Sequence, residues 1–239
     1  MSRRHWLAPA LVSTLACVGI AHANNLNGVF TLNQGQFQNL TQDLGDALSY
    51  KDMMPAAPLG LTGFDIGVTA VDTHLGNAQG WNQATGSGSN NIVVPGLQVQ
   101  KGLPFGFDVG LTYSAAPGTN VRVIGGDVSY AIIGGGLLSP ALTIRGTYTK
   151  MLGVSQMSLN TRSVELSLSK GFVFVTPYVG IGRVRTNAIP HVGGLAPATV
   201  NDTKEYVGAD FNLGLVNLDL EIDHMGNSMS YGANFGWRL

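Results

Sequence analysis

The nine residues Tyr231-Gly232-Ala233-Asn234-Phe235-Gly236-Trp237-Arg238-Leu239 alternate strictly. Every second one, from Tyr231 to Leu239, is apolar, and those between are small or polar. Side chains of a β-strand point to opposite faces with period 2, so this stretch predicts a strand with one greasy and one polar face. Phe235 and Trp237 sit near its end, where an aromatic girdle would meet a membrane surface. Tyr231, Phe235, Trp237 and Leu239 are therefore expected on the membrane-facing side.

Composition narrows the choice. Charged residues make up 11% of the chain, against roughly 25% in soluble domains. Glycine is abundant, at 33 residues. Beyond the first residues no run offers 18 clean apolar positions of the kind a membrane helix needs. The nearest, 123–144, contains Asp127, several glycines and Pro140. A transmembrane barrel resolves the conflict, because each strand needs only about 9–11 residues with alternate positions apolar. A secreted soluble sandwich would carry more charge on its exposed faces.

Ten alternating runs follow one another: 63–72, 92–101, 105–113, 120–132, 141–150, 161–170, 173–185, 205–215, 216–224 and 229–239. The expected fold is all-β: an antiparallel up-and-down barrel of about ten strands, with eight or twelve left open by the weaker runs. In the fourth run the apolar phase slips at Gly125-Gly126, which suggests a bulge. Around Arg183 in the seventh the phase does not resolve. Counting the first strand as rising from the periplasm makes 73–91, 114–119, 151–160, 186–204 and 225–228 outer loops. The inner turns are then 102–104, 133–140, 171–172 and about 214–216. Outer loops come out longer than inner turns, as in bacterial barrels.

The start of the chain reads as an address. Arg3 and Arg4 precede an apolar run from Trp6 to Ile20, and Ala21-His22-Ala23 is a small-x-small cleavage site. The pattern predicts a signal peptide over 1–23, removed on export by the Sec route. Cys17 is the sole cysteine and lies within it, so disulfides and thiolate metal sites are not expected in the mature chain. Loss of Arg3 and Arg4 leaves 11 of the 13 Lys+Arg against 14 Asp+Glu. No basic run exists, which argues against nucleic acid as a partner.

Residues 24–61 precede the barrel of 62–239. Phe37, Leu40, Leu44 and Leu48 recur at helical spacing over 36–50, with Asp43 and Asp46 opposite, until Pro55 and Pro58 end the pattern. This helical segment is expected either as a plug or cap of the periplasmic mouth or as a periplasmic arm.

Charged residues on the polar strand faces should line the lumen. The acidic set is Asp65, Asp108, Asp127, Glu165, Asp210, Asp219, Glu221 and Asp223; the basic set is Arg122, Arg145 and Arg238. In a narrow barrel such groups often lock the interior as ion pairs. Alternatively, Asp219, Glu221 and Asp223 form an acidic wall along one strand and favour cations, with lumen glycines leaving room. A filled interaction barrel would instead use loops 73–91 and 186–204, with Trp81 as an aromatic anchor in a flexible loop.

Catalysis has weak support. Asp223, His224, Glu221, Ser228 and Ser230 contain the residue types of a Ser-His-acid set. Yet neighbours on a strand point oppositely, so Asp223 inward means His224 outward. His74 and His191 fall in loops. There is no G-x-S-x-G elbow, H-E-x-x-H helix or phosphate loop, and no cofactor or metal is expected.

The export signal, the strands and the aromatic terminal strand together resemble the Gram-negative outer-membrane β-barrel superfamily over 63–239. The stretch from Pro55 to Gly67 is similar to the entry segment of small, uncharacterised members. The resemblance implies an outer-membrane location with both termini in the periplasm. It also implies contact with outer-membrane lipid and lipopolysaccharide, and recognition of the last strand by the barrel-assembly machinery. Members usually end in Phe or Trp; Leu239 departs from that, which predicts slower insertion. Omptin proteases share a ten-strand count, but Asp219 to His224 does not match their site. Nor do lipid A deacylases or palmitoyltransferases leave a Ser/His signature here.

Overall fold

A computed structural model describes residues 26–136 and 138–239; the expected signal peptide lies outside the described residues. Ten antiparallel strands close on themselves: β1 Phe64–His74, β2 Asn91–Gly102, β3 Phe107–Ala115, β4 Arg122–Gly134, β5 Ala141–Leu152, β6 Met157–Ser169, β7 Val175–Pro190, β8 Ala198–Asn212, β9 Val216–Met225 and β10 Ser228–Arg238. Each pairs with its sequence neighbours, and β1 pairs with β10 from Asp65↔Arg238 to His74↔Met229 to complete an up-and-down barrel. Full closure leaves no sheet edge unpaired. Two helices stand outside the strand count: α1 Gln34–Leu48, preceded by a 3-10 turn at Leu26–Thr31, and α2 Gln79–Thr85 between β1 and β2. Among the described residues no helix is long and apolar enough to cross a membrane.

The exterior is greasy. Val68, Leu97, Leu111, Val128, Val164, Ile181, Val207 and Phe235 are all exposed on it, from strands around the whole circumference. A soluble barrel could not present such a band to water, whereas a transmembrane barrel presents it to lipid. Tyr231, Phe235, Trp237 and Leu239 are exposed on the outside, as the alternation predicts. The backbone of Leu239 exchanges hydrogen bonds with Phe64 in both directions (2.8 and 3.1 Å), sealing the seam.

Three details depart from the sequence reading. The fourth strand shows no slip at Gly125-Gly126: pairing with β5 runs unbroken there, and the irregularity lies between Ala131 and Ile133. β7 and β8 extend to Pro190 and from Ala198, so most of the expected loop 186–204 is strand and the residues joining them are 191–197. The loop asymmetry shrinks accordingly: only 75–90 is long, while 116–121, 153–156 and 226–227 are comparable to the turns at the opposite mouth. Phe105 is not the start of β3. It sits in the turn at Pro104–Gly106 with a left-handed φ of 63°, 92% exposed.

Candidate functional site in the lumen

The segment ahead of β1 runs lengthwise through the barrel. Leu26, Val29 and Leu32 pack with Phe37, Leu40, Trp81 and Ala84 in one buried cluster at the mouth that carries α2. The Gln34 side chain exchanges hydrogen bonds with the Ala196 backbone (2.9 and 3.1 Å), and Gln156 donates to Asn27 (2.9 Å). From there α1 descends, and residues 49–59 continue to the other mouth, where the Leu59 N–H donates to Asp108 at 3.1 Å. The described chain thus opens at the mouth opposite the one where Leu239 lies.

Helix α1 starts with a reciprocal cap: Asn33 Oδ1 accepts from Gln36 N–H and Gln36 Oε1 accepts from Asn33 N–H, both at 2.9 Å. This satisfies two backbone donors that a helix start otherwise leaves open. Phe37, Leu40, Leu44 and Leu48 are buried, as their spacing predicts. Asp43 and Asp46 are buried too, because from Leu40 onward the helix is enclosed on all sides, whereas its first half still exposes Gln38 and Asn39. Burial is the main cause that raises the Asp43 carboxyl to about 6, opposed by hydrogen bonds from Asn77. Burial also drives Asp46 up to about 9; the Asp202 and Asp43 carboxylates add to it, while Ser228 and Lys51 oppose it.

Below α1 the segment is clasped by the wall. Tyr50 Oη donates to Asp127 at 2.6 Å, and Gln100 Nε2 donates to Tyr50 Oη, Asp52 and Asp127 at 2.9–3.0 Å. Arg145 pairs with Asp52 at 2.6 Å and with Asp127 at 3.2 Å. On the other side Lys51 pairs with Asp223 at 3.1 Å. Lys204 donates to the Tyr50 carbonyl at 2.8 Å and pairs with Glu165 at 3.3 Å and Asp223 at 3.6 Å. Lower still, Ala56 N–H donates to Ser169 at 3.0 Å, and Thr143 donates to the Ala56 carbonyl. A third cluster ties the seam: Arg238 pairs with Asp65 and Asp210, both at 2.8 Å, while Asn217 and Asn234 donate to Asp219 at 2.7 and 3.0 Å.

Most of the expected lumen set is here. Asp65, Asp127, Glu165, Asp210, Asp219, Glu221, Asp223 and Arg145 are buried inside, with Arg238 half-buried and Asp108 at the mouth. Arg122 is a correction: it is exposed on the outer face, in phase with Ile124 and Val128. Val121 and Val123 are the residues that face inward there and join the helical cluster. Lys204, Lys51 and Asp52 were missed. Lys204 falls within the expected loop 186–204, although it keeps the same parity as Tyr206 and Asp210.

Glycines on the inner face do not leave the lumen open. Gly208 faces Tyr178 and Gly180 faces Tyr206 across the β7–β8 ladder, and each ring occupies the space a Cβ would need. Gly67 is covered by Asn234, Gly182 by Glu165, and Gly232 by Met53. Between α1 and β1–β5 a gap of about 30 Å³ remains, lined by Ala47, Val94, Gln98 and Thr149. A larger vestibule of about 480 Å³ lies at the Leu239 mouth, bounded by Pro55, Pro58, Thr176 and Arg238. The acidic wall of β9 is therefore covered rather than water-lining.

One further expectation changes. Trp81 is 1% exposed, held in the cap by α2 rather than displayed on a flexible loop. His224 faces the exterior while Asp223, Ser228 and Ser230 face inward, and Ser230 is hydrogen-bonded to Thr73 at 2.9 Å. These residues do not converge.

No protein-family model and no curated protein sequence matches the chain. Similarity to solved structures is that of barrel to barrel. The β domain of the Bordetella autotransporter BrkA is 9% identical, with 74% of this chain and 99% of that one aligned at a TM-score of 0.44. KdgM porin is 10% identical over 72% and 98% of the two chains, at 0.39. The N-terminal barrel domain of Pseudomonas aeruginosa OprF is 11% identical over 73% and 97%, at 0.34.

Proposed function

We propose that the chain is an outer-membrane barrel closed at rest by its own N-terminal segment. Withdrawal of that segment frees a narrow, cation-preferring path. Export by the signal at 1–23 and insertion through the assembly machinery, with Tyr231, Phe235 and Trp237 turned to lipid, belong to this reading. The Leu239 mouth then faces the periplasm, and the capped mouth faces outward.

The carrying observation is the clasp of Tyr50, Lys51 and Asp52 by Asp127, Arg145, Lys204 and Asp223. A segment meant only to fill space would be held more firmly by apolar contacts, because buried ion pairs seldom exceed well-packed hydrophobic residues in stability. Polar contacts on both sides let the segment and the wall be hydrated separately. The wall left behind carries Glu165, Asp219, Glu221 and Asp223, so cations are the expected solute.

Planar-bilayer conductance of the full chain tests this. A bifunctional thiol reagent bridging Gln42→Cys and Asp202→Cys, whose native side chains meet at 2.9 Å, should hold the pore silent. The unbridged protein should open in rare, cation-selective events, and removal of 24–61 should make opening steady. Silence of both full-length forms, with conductance only after removal of 24–61, would favour a permanently filled interaction barrel; silence in all three, with the heat-dependent gel shift intact, would overturn the conducting path itself. The apolar cap built on Trp81 is the observation that supports that second reading.

A further inference from the structure

Five cations stand on the outside of the barrel, all on one side and all near the capped mouth. They are Arg122 on β4, Lys150 on β5, Arg162 on β6, and Arg183 and Arg185 on β7; each is exposed. Every one continues an outward column that is apolar nearer the middle of the barrel. Ile124 precedes Arg122, Tyr148 precedes Lys150, Val164 precedes Arg162, and Ile181 precedes Arg183. One outward step along a strand is two residues, about 6.6–6.8 Å. The charges thus begin one step beyond the greasy band, at the level where lipid headgroups start.

The register makes them one patch. Arg162 lies directly opposite Arg185, and Val164 opposite Arg183, so Arg162 is also diagonal to Arg183. Tyr148 opposes Arg162 and Lys150 opposes Asn160, which places Lys150 diagonal to Arg162. Arg122 opposes Leu152 and is diagonal to Lys150. Direct partners have Cβ atoms about 4.5–5.5 Å apart, and diagonals stay within reach of long side chains.

Like charges placed directly opposite destabilise a sheet unless an anion lies between them. Among the described residues the close ion pairs are made by Lys51, Arg145, Lys204 and Arg238, none of them in this patch, although the Arg183 guanidinium acts on the Asp202 carboxylate of β8. Arg162 stacks over the Tyr148 ring at 5.8 Å, and Arg185 reaches Asn187 at 3.4 Å. On β8 Glu205 opposes Ile181 and is diagonal to Arg183, so one carboxylate borders the patch at its edge; farther round the barrel the outward polar positions near this mouth hold Asp72, His74 and His224.

We infer that this patch binds the phosphate groups of a phosphorylated glycolipid in the outer leaflet, with the apolar columns beneath it seating the acyl chains. Guanidinium pairs match phosphate in a two-pronged geometry, and the long stems of Arg and Lys lie along the greasy surface with their heads at the interface. A soluble acidic protein would have no use for the continuous apolar columns below. The inference rests on the orientation proposed above, in which the capped mouth faces outward.

The test uses the full chain refolded in neutral micelles and titrated with bisphosphorylated lipid A. Bound lipid is counted by native mass spectrometry, and the heat-dependent gel shift is followed in parallel. Expected is retention of lipid A by the unaltered protein with a higher melting midpoint. Retention should fall at least about tenfold with phosphatase-treated lipid A. Arg162→Gln with Arg185→Gln should fall equally, Arg162→Lys with Arg185→Lys should recover part of the binding, and Asp72→Asn should leave it unchanged. Inorganic phosphate alone should not raise the midpoint. Equal binding by the Gln variant, or by the dephosphorylated lipid, would overturn the inference. A Gln variant that fails to fold leaves the phosphatase comparison and the Lys variant to decide. These measurements read neither conductance nor orientation. Labelling of Gly193→Cys on whole cells reads orientation separately, so failure of one reading is distinguishable from failure of the other.

Discussion

Arg145 is the side chain on which the closed lumen most depends. It is 6% exposed and joins a carboxylate of the wall, Asp127, to one of the inserted segment, Asp52. Arg145→Ala leaves both acids buried without their cation, and breaking a buried pair in this way costs about 3–5 kcal/mol. Proteolysis of residues 26–59 in the folded barrel should accelerate sharply, as read by limited digestion. Asp46 acts in the opposite sense. Its carboxyl rises from an ordinary 3.8 to about 9 in the lumen, so the docked form keeps a proton that the withdrawn form releases. The contribution of Asp46 to docking is then full below pH 4 and weakens as pH rises towards 9, by up to about 1.4 kcal/mol per unit. Asp46→Asn should flatten that slope between pH 5 and 9 in the same digestion assay. A slope unchanged by the substitution would remove Asp46 as its source. Asp43, raised to about 6, adds a smaller loss that is complete above that pH.

At the scale of elements, α1 is held by its cap, its apolar stripe and the cover of α2. Asn33→Ala removes one arm of the reciprocal cap, which costs about 1 kcal/mol. It should shorten the life of the docked segment without altering barrel closure, read as faster hydrogen exchange confined to α1. Gly45 packs so closely on Thr186 that a methyl group would overlap it. Gly45→Ala should therefore loosen α1 from β7 despite its better helix propensity, and Gly45→Ala with Thr186→Gly should restore the fit, as checked by melting midpoint. The stripe of Phe37, Leu40, Leu44 and Leu48 was legible because helical periodicity is local. That Asp43 and Asp46 would also be buried was not, since burial of the second face depends on what surrounds the helix. The ends of β7 and β8 were illegible for a related reason. Beyond the greasy band the outer face of a strand leaves the acyl chains and carries Arg183 or Arg185, while the inner face meets α1 and carries Val184 or Ala188. The polarity of the two faces reverses although the hydrogen-bond ladder continues. That same reversal imitated a phase slip in β4 and placed Arg122 on the wrong side.

For the whole molecule, closure and filling belong to different orders of information. Ten alternating runs, low charge, and an aromatic final strand sufficed for a membrane barrel of ten antiparallel strands. Each of these follows from period-2 geometry and from the rule that every backbone group in lipid must be paired within the chain. The acidic interior was equally readable: seven of the eight expected carboxylates are buried on the inner face, and Asp108 lies at its mouth. What the lumen contains could not be read in this way. Tyr50 meets Asp127 from 77 residues away, and Lys204 meets Tyr50 from 154; no local pattern encodes such encounters. The glycines that suggested an open path are filled by Tyr178, Tyr206 and Asn234. Alternation along a strand determines which side chains point inward. Whether they face water or a threaded segment is decided only when the strands close around it, because that contact joins residues whose sole relation is their height in the barrel.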